Sequence, residues 1–114
     1  MVAYLITPTE VGPWRVDPGA LGEWLASRWL DVVAQGDGRG QRAYLWTWPD
    51  GSEIWVPEDA DVVWAQLDLE RLAAVAGWCA AGSPEQLVLT DEEYSQPLTL
   101  TSTDEETILA LLSR

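Results

Sequence analysis

Two hydrophobic periods run along this chain, one of two residues and one near 3.6, and they divide it into strands and helices. In residues 2–7, Val2, Tyr4 and Ile6 alternate with Ala3, Leu5 and Thr7, which predicts a strand with both faces at least partly covered. Leu21, Trp24, Leu25, Trp29, Val32 and Val33 then recur at helical spacing. Asp17 and Pro18 stand where an N-cap and a first-turn proline belong, so the pattern predicts a helix over 18–35 with Gly36 as its left-handed stop.

Residues 43–48 and 52–57 flank Pro49, Asp50 and Gly51, a three-residue hairpin loop that fixes a register. Trp48 then opposes Ser52, Trp46 faces Ile54, Tyr44 faces Val56, Leu45 faces Trp55 and Thr47 faces Glu53. The side bearing Tyr44, Trp46, Ile54 and Val56 is the expected core face. Residues 62–67 read as a further strand. After Asp68, Leu69, Leu72, Ala73, Ala76, Cys79 and Ala80 keep helical spacing until Gly82, Ser83 and Pro84. Residues 86–90 and 97–101 are short alternating strands joined by an acidic loop. Thr103 and Glu106 fit a capping box for a last helix over 104–113, with Ile108, Leu109 and Leu112 on its buried side. The order predicts one α+β domain over 1–114, with a mixed or mainly antiparallel sheet of five to six strands and a single layer of three helices.

Composition narrows the chemistry. The chain has eight Trp but no His, no Lys and no Phe, and its lone Cys79 falls in an apolar helical pattern. That set excludes a disulfide within the chain and zinc held by cysteines, and it removes most of the side chains that build active sites. No cofactor or metal is expected. Residues 36–42, Gly-Asp-Gly-Arg-Gly-Gln-Arg, follow a helix and precede a strand, the reverse of the order a phosphate-binding loop requires. The Ala, Gly, Leu, Arg and Trp bias matches a GC-rich bacterial coding sequence. Residues 1–7 lack a basic segment and Pro8 cuts their apolar run short, so a cytoplasmic location is expected.

Charge carries the functional expectation. Residues 43–114 hold fourteen acids against two arginines, a net of −12, whereas residues 1–42 hold five acids against four arginines, a net of −1. Such a field repels nucleic acid and anionic membrane and raises encounter rates with basic surfaces. The acids cluster at expected turns and helix starts: Glu58, Asp59 and Asp61, then Asp91, Glu92 and Glu93 beside Tyr94, then Asp104, Glu105 and Glu106. The last set complements a helix dipole, and turns are kept soluble by charge, so each cluster also has a purely local explanation.

Among the tryptophans, Trp24, Trp29 and Trp46 fall on core patterns, while Trp14, Trp55 and Trp78 fit them less well. An exposed indole beside carboxylates makes a protein-binding hot spot, because it offers a large rigid area and can seat a cation. The expected partner surface is therefore Glu53, Trp55, Glu58, Asp59, Asp61, Asp91, Glu92, Glu93 and Tyr94. The expected function is a non-enzymatic, acidic, protein-binding inhibitor of the immunity, antitoxin or anti-defence type, directed at a basic partner such as a nuclease toxin. The alternative is a structural or regulatory module whose acidity serves solubility. Carboxylate catalysis by residues 91–94 has no supporting spacing, since consecutive strand residues point to opposite faces.

Overall fold

A computed structural model of the chain describes residues 3–9, 14–35, 43–91 and 97–113. Seven strands form one antiparallel sheet: β1 (Tyr4–Pro8), β2 (Val33–Gln35), β3 (Tyr44–Thr47), β4 (Glu53–Val56), β5 (Val63–Gln66), β6 (Leu87–Asp91) and β7 (Leu98–Thr99), in the order β2-β3-β4-β5-β1-β6-β7. Among the described residues three helices accompany it, α1 (Pro18–Arg28), α2 (Leu69–Ala81) and α3 (Glu105–Leu112). The fold is α+β as expected, with seven strands among the described residues rather than five to six.

Strand alternation places Ile6, Trp46, Ile54, Val56, Val63, Ala65, Leu87 and Leu89 in one buried cluster with Leu21 and Leu25 of α1, Leu72, Val75 and Cys79 of α2 and Ile108 of α3. All three helices thus contribute to the one core that this strand parity builds, with α3 packed against α2. The β3–β4 register is the one the turn dictates, with Leu45 opposite Trp55 and Trp46 opposite Ile54, and Gly51 takes the left-handed conformation that the loop needs at φ 90°. Along α2, Gly77 allows a close approach: a Cβ there would meet the Thr103 carbonyl oxygen at 2.9 Å, so the chain entering α3 lies directly on the helix.

The first helix is shorter than its stripe predicts. Asp17 caps it, accepting from the Ala20 N–H at 3.1 Å, but Trp29 is already extended at φ −126°, ψ 111°, and Val33 to Gln35 pair with β3 instead. The helical spacing of Val32 and Val33 is overridden by strand pairing, which β-branched residues favour and which gives β3 a hydrogen-bonded neighbour. Gly36, the expected stop, lies outside the described residues. The last helix also starts one residue later than expected: Asp104, not Thr103, is the cap, and its carboxylate accepts from both the N–H and the hydroxyl of Thr107. Those two bonds hold the Asp104 carboxyl below its usual range.

Candidate functional site: the second sheet face

The face turned away from the helices is built by the other parity of the same strands. Register aligns Gln35, Leu45, Trp55, Trp64, Leu5 and Thr90 in one row across six strands. At the centre of that row the rings of Trp55 and Trp64 stack with centroids 4.8 Å apart and planes within 8° of parallel. Both indoles are half-buried, and Leu5 beside them is buried. None of the described helices packs here.

The expected position of Trp55 on the second face, with Glu53 on the same side, is what the register gives. Trp64, like Trp48, falls outside the core and surface sets that the spacing of the tryptophans suggests. Its signal was present, since Val63, Ala65 and Leu67 form one buried parity in that strand and Trp64 and Gln66 the other. What the strand pattern alone lacked was the pairing of β4 with β5 that puts the two indoles side by side.

The acids divide into two groups. Glu53 stands at one end of β4, two residues from Trp55, and among the described residues it is the one charged side chain that the strands place on this face. Glu58, Asp59 and Asp61 are exposed in the turn at the other end, between β4 and β5. Ala60 holds that turn in a left-handed conformation at φ 56°, and its carbonyl accepts from the Val16 N–H at 2.9 Å. Glu53 thus shares the face of the indole pair, whereas Glu58, Asp59 and Asp61 lie beyond the far strand ends, in a turn whose Ala60 is buried in the helix-side core.

Asp91 does not belong with them. It pairs with Tyr4, which packs against the helix-side core, so parity turns Asp91 to that side of the sheet. Glu92, Glu93 and Tyr94 lie outside the described residues. Three further tryptophans depart from their patterns as well. Trp14, which fits the core patterns less well, is buried, in a segment before α1 that the Val16–Ala60 bond ties to the β4–β5 turn. Trp24 and Trp29, expected in the core, are half-buried at its margin, and Trp78 stacks on Trp24 with centroids 5.7 Å apart.

The remaining described chemistry sits on the helix side. Cys79 is fully buried, and burial alone pushes its thiol up to about 12, which leaves it protonated and inert. No group of acids, cysteines or histidines among the described residues could hold a metal ion. A cavity of about 230 Å³ bordered by Trp14, Val16, Trp78 and Cys79 is walled mainly by apolar side chains. None of the described helices is long and apolar enough to cross a membrane. No protein-family model, curated protein or solved structure matches this chain.

Proposed function

We propose that this chain is a small protein-binding inhibitor that engages a basic protein partner through its second sheet face. An immunity, antitoxin or anti-defence role against a nuclease-like toxin is the form of inhibitor that its charge best suits. The observation that carries the reading is the stacked Trp55–Trp64 pair on a face that no described helix covers, with Glu53 on the same face and Glu58, Asp59 and Asp61 beyond the far strand ends. Half-exposed rings provide rigid apolar area, and the carboxylates favour cationic side chains over anionic ones. The −12 charge of residues 43–114 supplies the long-range attraction.

The test is affinity capture from the native host at low and high salt, followed by kinetics on the captured protein. The partner should be basic, and association should slow severalfold between ~50 and ~500 mM salt, as screening shortens the reach of the field. Trp64→Ala and Trp55→Ala should each weaken binding by ~2 kcal/mol while unfolding stays cooperative. A salt-independent association rate, or unchanged affinity in both variants, overturns the reading.

A further inference from the structure

Two tryptophans that fit the core patterns less well, Trp14 and Trp78, border one cavity of about 230 Å³ between the segment that enters α1 and the end of α2. We infer that this cavity is a binding site for a small neutral aromatic molecule, a substituted single ring or a fused pair of rings of indole size. It stands apart from the second sheet face, so it does not depend on the inhibitor reading.

The walls are held in place by the fold itself. Trp14 and Val16 are buried and alternate with exposed Arg15 and Asp17, so the segment before α1 turns its apolar side inward. The bond from the Val16 N–H to the Ala60 carbonyl, at 2.9 Å, keeps it there. Trp78 is braced by Trp24, on which it stacks with planes 24° apart. Gly82 ends α2 without a side chain, and an added Cβ at that position would meet nothing closer than 3.7 Å. Walls fixed in this way leave little ordering for a ligand to offset.

Size, lining and charge select the occupant. An apolar cavity of ~150 Å³ already holds benzene, so about 230 Å³ admits a substituted ring or an indole. Two indole walls and the buried sulfur of Cys79 favour a ring over an aliphatic chain, because aromatic pairs and sulfur–ring contacts each add to area burial. The two charged residues that border the cavity, Arg15 and Asp17, are opposite in sign and two positions apart, so their fields largely cancel there. Neither an anion nor a cation gains what it would lose by leaving water.

The experiment titrates the full chain with indole, and with indole acetate and tryptamine as its anionic and cationic counterparts, and follows backbone amide and indole N–H signals by heteronuclear NMR. Indole should bind saturably and move the signals of Trp14, Val16, Trp78 and Cys79 while leaving those of Trp55 and Trp64 in place. Both charged analogues should bind roughly tenfold more weakly or worse, since their charge must be desolvated. Ala20→Leu brings a larger side chain to the cavity from an exposed position of α1, and its backbone N–H keeps the bond to Asp17. That variant should melt within a few degrees of the parent and bind indole roughly tenfold more weakly, because the space is taken. Gly82→Leu fills the cavity from the end of α2, at a φ of −90° open to any residue, and gives an independent reading should Ala20→Leu fail to fold. Absence of saturable binding by the parent, shifts confined to the second face, or undiminished binding by the filled variants overturns the site. Binding of either charged analogue as tight as that of indole overturns its choice of neutral rings.

Discussion

The two sides of the sheet use tryptophan in opposite ways. On the helix side, Arg28 lies 5.2 Å from the Trp29 ring and 5.8 Å from that of Trp24, and its Nη2 is 2.6 Å from Glu105. Arg71 lies 5.1 Å over Trp48 and pairs with Asp50. Rings, cations and acids on that side are thus joined within the chain, and they tie α1 to α3 and the β3–β4 turn to α2. On the far side, two indoles stack on each other and the described helices contribute nothing. The same residue type is a fastening on one face and a surface on the other, so tryptophan content by itself says little about where a partner binds.

The widest contrast is expected from truncating one indole on each face. Trp46→Ala opens the packed layer and should cost about 3–5 kcal/mol in denaturant unfolding. Trp64→Ala removes one half of a stacked, half-exposed pair and should cost about 1 kcal/mol, near the value of an aromatic pair beyond its area. Comparable costs at the two positions would mean that the second face is as thoroughly packed as the first, and the comparison would break.

A smaller effect probes how tightly the helix layer is closed. Gly77→Ala places a methyl 2.9 Å from the Thr103 carbonyl and should destabilise by about 1–3 kcal/mol, although alanine is the better helix former. A neutral or stabilising result would show that α3 can lift away from α2 without penalty.

The smallest expected effect concerns the ion pair at the hairpin. The hydrogen bond from Arg71 is the main cause that holds the Asp50 carboxyl well below its usual range, with bonds from Ser52 adding to it. In turn, Asp50 raises the already high value of Arg71. Because the folded value of Asp50 lies below the unfolded one, its contribution is complete above the ordinary carboxylate range and is lost as pH falls below about 4. Arg71→Met should therefore lower the melting temperature more at pH 6 than at pH 2. An equal shift at both pH values would detach the pair from stability.

Much of the architecture was legible from local pattern. Pro49, Asp50 and Gly51 set the hairpin register, Asp17 and Asp68 marked two helix starts, and the period of the second helix located its buried side. The candidate site was legible in part: Trp55 and Glu53 followed from that register, but Trp64 needed the β4–β5 pairing, and Asp91 was grouped with its neighbours although alternation from Leu89 separates it from the second face.

The sequence by itself determined the charge, the absence of His and Lys, the alternation of each strand and the period of α2, because each of these depends on composition or on residues close together in the chain. Tertiary structure decided where α1 stops, since Val33 to Gln35 gain more as the edge partner of β3 than as a further helical turn, and a helical stripe carries no information about a neighbour twelve residues away. It also decided which indoles meet. Trp24 with Trp78 and Trp55 with Trp64 are pairs made by layering and strand order, and those depend on long-range burial that no single segment records.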